Sequence, residues 1–194
     1  GKTTLLKKII KILETEKLEV GITSTTGVSA LPLCGCTLHS LMSIGFGHDN
    51  PDKMFKKLLK INHGLKYCYL QKLDILIIDE VSMLGSSLFT KLDLLWRKIK
   101  DINIPFGGLQ LVLSGDFYQL PPINDEYCFQ SIAWKYMKES GILVYFELNE
   151  RKRFDNTEYS DMLMNIRKGN VKSEYLKILY ERHIAYKDIY NHKL

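Results

Sequence analysis

The sequence predicts an α/β protein in which a parallel β-sheet is covered by helices on both faces. Short apolar or β-branched runs alternate along the chain with longer stretches of helical periodicity. The run from Leu73 to Ile78, which is apolar except at Asp74, is typical of a parallel strand buried on both faces. This order of strand, helix, strand and helix favours a sheet with helices on each side.

The first expected elements are an amphipathic helix and a strand. One apolar stripe with lysines outside it predicts the helix, and it consists of Leu5, Leu6, Ile9, Ile10, Ile12 and Leu13. A strand is expected at about Val20 to Ser24, followed by a loop rich in Gly and Thr.

A second helix is expected to open near Pro51. Four lysines fall on one face of it, namely Lys53, Lys56, Lys57 and Lys60. A solvated face is the main interpretation of this pattern, and a strip that tracks phosphates is the alternative.

The later elements follow the same alternation. We expect Ser86 to cap a helix that reaches about Lys100, Gly108 to Ser114 to form a buried strand, and Leu143 to Leu148 to form one more strand.

Length and composition indicate one ordinary globular domain. The chain has 194 residues, 45% of them hydrophobic and 25% charged, with a formal net charge of +5. These values exclude an intrinsically disordered chain. The uncharged stretch from Val20 to Gly47 contains five Gly and one Pro, so a membrane helix is not expected there.

The four cysteines indicate a reducing compartment. They stand at positions 34, 36, 68 and 128, without a C-x-x-C pair or a His at zinc-ligand spacing. We therefore expect reduced thiols in an intracellular protein that is not secreted, and no metal site built from them. The chain begins with Gly1 instead of Met, so we expect a fragment.

The N-terminal tripeptide Gly1-Lys2-Thr3 matches the last three residues of the phosphate-binding pattern G-x-x-x-x-G-K-[ST]. It opens a helix, whose free N–H groups and dipole favour an anion, and a hydrophobic run ending in Asp79-Glu80 follows. On this interpretation Lys2 contacts the β- and γ-phosphates and the Thr3 hydroxyl is a ligand of Mg²⁺. An exposed helix cap with a solvated lysine is the alternative.

Two adjacent carboxylates, Asp79 and Glu80, follow a buried strand at the edge where an open α/β sheet binds its ligands. We assign Asp79 to Mg²⁺ and Glu80 to the general base that activates the attacking water. A strand end that simply reaches solvent is the alternative.

The segment from Gly115 to Pro122 follows another buried strand. Gln119 offers an amide donor and an acceptor, which suits it to sense a γ-phosphate or its attacking water. Pro121 and Pro122 restrict the backbone after it. A plain turn explains Gly115-Asp116 but not this combination.

Small hydroxyl residues are concentrated in the segments 23–30 and 35–40, which carry almost no charge. Such a surface grips a phosphodiester backbone without reading bases. The strand-contacting candidates are Thr25, Thr37, His39 and Ser40. A lone His39 is more often a structural residue, and that alternative stays open.

A basic cluster, Arg151-Lys152-Arg153, stands between an expected strand and an expected helix. One of these arginines would reach transition-state charge as an arginine finger. A solvated basic turn is an equal alternative.

Together these motifs resemble the Pif-type (petite integration frequency) DNA helicases of superfamily 1, whose core is a RecA-like P-loop ATPase domain. Gly1-Lys2-Thr3-Thr4 resembles the end of their first motif and residues 77–84 resemble their metal and base motif. The middle block is specific, since it separates this family from RecD-type helicases. Its segments are residues 88–93, 105–108 and 115–122.

The resemblance implies the roles of several residues. It adds Thr4 to the nucleotide-binding residues Gly1, Lys2 and Thr3. It makes Glu80, Gln119 and Arg153 the catalytic candidates. It also extends the strand-contacting motif to Ile44-Gly45-Phe46-Gly47.

The resemblance also implies a domain plan and an activity. Residues 1–169 would form a first RecA-like domain, and residues 170–194 a helical tail leading to a second one. The implied function is ATP- and Mg²⁺-dependent translocation, 5′ to 3′, on single-stranded DNA with unwinding at duplex junctions, in repair, recombination or telomere maintenance. We expect the 194-residue chain alone to hydrolyse ATP negligibly.

Three alternatives stay open at this point: a nucleic-acid clamp with an inactive ATPase, a RecD-type helicase, and a P-loop ATPase that remodels protein. The oligomeric state and the compartment, whether nucleus, mitochondrion, cytoplasm or virus, also stay open.

Overall fold

The computed structural model describes residues 1–149 and 157–191. The chain divides into two compact units, residues 1–149 and residues 150–194.

A parallel sheet forms the centre of the first unit. Its strands are β1 (Val20–Ser24), β2 (Cys36–Thr37), β3 (Ile75–Asp79) and β4 (Gln110–Leu113). They lie in the order β2-β1-β3-β4, and every pairing is parallel. The predicted parallel sheet is therefore confirmed.

Helices connect these strands. In the first unit they are α1 (Lys2–Thr15), α2 (Gly27–Ala30), α3 (Leu38–Met42), α4 (Pro51–Lys60), α5 (Leu65–Lys72), α6 (Ser86–Lys100) and α7 (Ile132–Glu139). Short 3₁₀ turns lie at Leu31–Leu33, Ile61–Gly64, Val81–Met83, Pro105–Gly108 and Cys128–Gln130.

Both faces of the sheet are covered, because the side chains of β3 alternate between two apolar clusters. Leu76 and Ile78 join the larger cluster, which includes residues of α3 to α7. Ile75 and Ile77 join a smaller cluster with Leu6 and Ile10 of α1. All five residues of β3 are buried, as the apolar run predicts for a central parallel strand.

The strand β3 begins two residues later than predicted. Its first residue is Ile75, since Asp74 is exposed and its carboxylate accepts a hydrogen bond from the Glu19 N–H at 2.9 Å.

The prediction that Ser86 caps α6 is wrong. Ser86 is the first helical residue, and Gly85 occupies the N-cap position. Gly85 has no side chain to offer, and the Asp125 carboxylate supplies the cap, accepting the Ser87 N–H at 3.1 Å. A Cβ on Gly85 would collide with that carboxylate, so glycine is needed at this position because the Asp125 side chain lies so close to its Cα atom.

The prediction of a strand from Leu143 to Leu148 is also wrong, since residues 142–149 form no regular structure. Two N–H groups at its start, those of Ile142 and Leu143, donate to the Met137 carbonyl at 3.0 and 3.2 Å. Val144 and Phe146 are 69% and 89% exposed. A strand needs a neighbour for its ladder, and no strand of the described residues pairs with this segment.

The lysine-rich face of α4 is partly neutralised. Lys53 and Lys57 both pair with Asp49, and Lys98 of α6 pairs with Asp52 at 2.9 Å. The hydrogen bonds from Lys53 and Lys57 hold the pKa of Asp49 well below its usual range, at about 2. A solvated, ion-paired face therefore explains most of this pattern.

The helix α6 anchors the turn at residues 105–108 through a buried carboxylate. Asp93 is 3% exposed and accepts the Phe106 N–H at 2.7 Å. The same carboxylate pairs with Arg97 at 2.9 Å. Gly107 has a positive φ of 62°, and a Cβ there would lie 2.6 Å from the Trp96 carbonyl oxygen. This packing explains the Pro105-Phe106-Gly107-Gly108 motif.

The second unit contains α8 (Thr157–Arg167) and α9 (Ser173–Asn191). The amide of Asn165 donates to the Tyr175 hydroxyl at 3.2 Å and so ties the two helices. Gly169, with a φ of 78°, lies in the turn between them. Across the residues described in both units, no helix combines the length and apolarity needed to cross a membrane.

We expect Asp93→Asn to lower the free energy of unfolding by about 2–3 kcal/mol, because Arg97 and the Phe106 N–H lose a buried anionic partner. Urea unfolding followed by the fluorescence of the buried Trp96 measures this. Asp101→Asn is the matched control, since Asp101 is exposed at a left-handed position that asparagine tolerates. Equal midpoints for the two variants would contradict the assignment.

Candidate functional site

The candidate residues meet at the carboxyl edge of the sheet because β1 and β3 are parallel neighbours. Their register pairs Ser24 with Asp79. The residues that follow each strand, Thr25 and Glu80, therefore leave the sheet side by side. This edge is where open α/β sheets bind their ligands.

Lys2 and Glu80 approach each other there. The Lys2 Nζ atom lies 3.6 Å from Glu80 Oε1. The Nζ atom itself is buried and has no hydrogen-bond partner among the described residues. A buried ammonium without hydrogen bonds is unfavourable, so this atom is suited to receive anionic oxygen atoms.

The start of α1 is suited to the same ligand. Gly1 is the N-cap residue and provides no side-chain hydrogen bond to the free N–H groups of the first turn. Thr3 lies half-buried in that turn, and Thr4 is exposed. An uncapped N-terminus of a 14-residue helix favours an anion.

Asp79 is the most heavily bonded residue of this edge. Its side chain is buried, and Oδ1 accepts the Ser114 hydroxyl at 2.8 Å and the Glu80 N–H at 3.0 Å. Its carbonyl oxygen accepts the Ser24 hydroxyl at 3.0 Å and the Thr25 N–H at 3.2 Å. The carboxylate is thus fixed in direction, and carboxylate oxygens are suitable ligands for Mg²⁺.

Glu80 has an unusual backbone. Its φ is 53°, a left-handed conformation that is uncommon for a residue other than glycine. The Thr25 hydroxyl donates to its carbonyl oxygen at 3.0 Å. Such conformations persist where surrounding bonds enforce them, and they concentrate at functional sites. The conformation sets the Glu80 carboxylate beside Lys2.

The Gln119 loop is anchored to the same edge through Ser114. The Ser114 carbonyl accepts the Val81 N–H at 2.9 Å, and Gly115 packs so closely on Val81 that a Cβ would lie 2.9 Å from Val81 Cγ1. Gln119 itself is exposed, and its amide donates to Asp116 Oδ2 at 3.0 Å. Its role as a sensor stays a prediction.

The strand-contacting candidates lie at this edge too. Ser24 pairs in register with Thr37, whose hydroxyl caps α3 by accepting the Ser40 N–H at 3.2 Å. Ser40 is exposed and His39 is half-buried. Burial lowers the pKa of His39 below that of a free histidine, so at neutral pH the ring offers a neutral hydrogen-bonding group.

Among the strand-contacting candidates, Thr25 is the residue whose hydroxyl donates to the Glu80 carbonyl oxygen. This bond joins the hydroxyl-rich loop directly to the backbone of Glu80, the general-base candidate. Arg153 lies outside the described residues.

Ser114 was missed by the sequence reasoning, although a signal was present. It is a polar residue that ends an apolar run directly before Gly115-Asp116, at the edge where ligands bind.

Comparisons with known proteins identify a family. The family model described as PIF1-like helicase matches residues 1–177. The chain is 35% identical over 182 residues to the ATP-dependent DNA helicase PIF1 of Saccharomyces cerevisiae, which covers 90% of this chain and 21% of the relative.

Solved structures agree as well. The crystal structure of Pif1 helicase from Candida albicans matches with a TM-score of 0.80 and 33% identity, over 91% of this chain and 40% of that one. The Bacteroides Pif1 helicase in complex with ADP-AlF3 and ssDNA matches with a TM-score of 0.76 and 30% identity, over 93% of this chain and 43% of that one. The chain thus spans from about a fifth to two fifths of the lengths of these relatives.

We expect the free energy of unfolding to fall as the pH drops below about 6.5, because the unfolded chain takes up a proton that the buried His39 ring resists. Urea unfolding across this range, compared between the unaltered protein and His39→Gln, measures the effect. The variant keeps the other four histidines, so the difference between the curves isolates His39. Parallel curves would contradict the assignment.

Proposed function

The chain belongs to the PIF1-like helicase family, and from this premise we propose that it forms the triphosphate-binding and strand-contacting part of an ATP-dependent DNA helicase. The observation that carries the proposal is the buried Lys2 ammonium, which has no hydrogen bond within the described residues and lies 3.6 Å from the Glu80 carboxylate. A triphosphate provides the anionic oxygen atoms that this ammonium requires.

Each residue of the site has a chemical task in this function. Lys2 and the uncapped start of α1 hold phosphate oxygens, while Thr3 and Asp79 would hold Mg²⁺. When bound, Mg²⁺ supplies positive charge that offsets the charge of the phosphates. Glu80 accepts the proton of the attacking water as a general base. By the family resemblance Gln119 would orient that water, and the arginine-finger role expected of Arg153, which lies outside the described residues, stays a prediction.

The bond between Thr25 and Glu80 offers a route from strand binding to hydrolysis. A single strand held by the loop that contains Thr37, His39 and Ser40 would act on Thr25, whose hydroxyl fixes the Glu80 backbone. A shift of the Glu80 backbone would change the direction of the Glu80 carboxylate, which is the proposed general base. This supports a motor, in which strand binding stimulates hydrolysis, over a clamp or a protein remodeller.

The proposal extends to the whole protein. It includes a second RecA-like domain that closes on the triphosphate, movement from 5′ to 3′, duplex junctions as substrates, and an intracellular role in genome maintenance. The Bacteroides relative, solved with ADP-AlF3 and ssDNA, supports the pairing of nucleotide and strand.

In the full-length protein, we expect Glu80→Gln to keep ATP binding and to slow strand-stimulated hydrolysis by about 10²–10⁴-fold, because a positioned base is lost. Lys2→Ala should instead weaken ATP binding. A fluorescent-nucleotide titration and a steady-state ATPase assay separate these effects, and Glu139→Gln, at an exposed site on α7, is the control. Unchanged turnover and unwinding by Glu80→Gln would favour the clamp.

We further expect Thr25→Val to lower the strand-stimulated turnover about fivefold at saturating DNA, because one hydrogen bond of about 1 kcal/mol is lost. Thr25→Ser keeps the hydroxyl and should retain turnover. ATPase assays at several DNA concentrations measure this. A change in DNA affinity alone would indicate that Thr25 acts only as a strand contact.

A further inference from the structure

An almost fully exposed phenylalanine stands on the turn that follows α3. Phe46 is 90% exposed, although aromatic side chains are usually buried to a large extent. The residues on either side of it, Gly45 and Gly47, have positive φ values of 57° and 75°. The turn therefore pushes the ring outward in a way that glycines make possible.

This turn is held in place from α6. The Lys91 Nζ atom donates to the Gly47 carbonyl at 2.9 Å and to the His48 carbonyl at 3.3 Å. Gly47 is buried against Leu88, since a Cβ at Gly47 would lie 3.1 Å from Leu88 Cδ1. The Gly47 N–H donates to the Ile44 carbonyl at 3.0 Å. The ring is thus presented by a preorganised turn.

These contacts indicate a structural role for the segment from Leu88 to Asp93. This segment is one of the motifs on which the family resemblance rests, and the resemblance assigns it no role. Leu88 and Lys91 support the Phe46 turn, whereas Asp93 anchors the turn at residues 105–108. One helix therefore fixes two turns.

The surroundings of the ring suit a nucleic acid. The His39 Nε2 atom lies 3.9 Å from the position of a Cβ on Gly47, so the turn that carries Phe46 lies beside the strand-contacting loop. Residues 45–60 contain four lysines and two aspartates. Asp49 is paired with Lys53 and Lys57, and four lysines against two aspartates leave this segment with a net charge of +2, which attracts phosphates.

We propose that Phe46 stacks on one nucleobase of the bound single strand and that Lys91 positions it for this contact. The proposal rests on the proposed function, which supplies the strand. Every base has a flat π-face, so stacking holds any sequence. The stacked ring would contact a base, whereas the hydroxyl-rich loop would contact phosphates.

The test uses the full-length protein and forked DNA, whose duplex end fixes the register of the single strand. Fluorescence anisotropy measures affinity for a series of forks, each with one abasic site. We expect the unaltered protein to lose about 5- to 150-fold in affinity at one abasic position. Phe46→Ala should lose about as much on intact DNA and become insensitive to that position.

Matched variants separate stacking from general apolarity. Phe46→Trp keeps a flat aromatic face and should retain the abasic profile, while Phe46→Leu should lose it. Phe146→Ala is the control, because Phe146 is 89% exposed on the irregular segment at residues 142–149. It should bind as the unaltered protein does.

Lys91→Met tests the positioning role. It should weaken binding to intact forks less than Phe46→Ala does, and it should have no further effect in a protein that already carries Phe46→Ala. A thermal melt followed by circular dichroism checks that each variant is folded. Additive losses in the double variant would overturn the role of Lys91.

The outcomes distinguish this inference from the proposed function. If the unaltered protein binds no single-stranded DNA, the proposed function fails, and this inference fails with it. If the unaltered protein binds DNA but the abasic profile is the same with and without Phe46, only the stacking inference is overturned.

Discussion

The ends of three strands are tied together at a single buried residue, Asp79. Its carboxylate accepts the hydroxyl of Ser114 at the end of β4, and its carbonyl accepts groups of Ser24 and Thr25 at the end of β1. Backbone and side chain of one residue thereby set the distances between three loops. The left-handed Glu80 follows directly, so the position of its carboxylate, the proposed general base, depends on this set of hydrogen bonds.

The helix α6 has a similar organising role beneath the site. Lys91 holds the Phe46 turn, Asp93 holds the turn at residues 105–108, and Lys100 donates to the carbonyls of Gln71 and Leu73 before β3. Burial lowers the pKa of Lys100, and the two carbonyls accept the hydrogen bonds that replace its contacts with water. Charged side chains on this helix thus serve as loop anchors, and the loops reach the site already ordered.

Sequence patterns predicted the secondary structure correctly where the pattern was local and repeated along the chain. The apolar run before Asp79 identified β3, and the carboxyl-edge rule brought Asp79 and Glu80 into the site beside Lys2. These patterns failed at Leu143 to Leu148, where apolar character indicated a strand, because a strand also needs a partner. The prediction failed at Ser86 because the helix cap comes from Asp125, which accepts the Ser87 N–H and lies 38 residues after it.

The sequence by itself therefore determined the fold class, the order of the main elements and the residue types at the carboxyl edge of the sheet, since periodicity and motif spacing are carried by neighbouring residues. Only the tertiary structure decided which groups meet: the Thr25 hydroxyl with the Glu80 carbonyl, and Lys91 with the carbonyls of Gly47 and His48. Such contacts join residues more than 40 positions apart. Their geometry follows from how strands and helices pack, and a linear pattern does not contain that information.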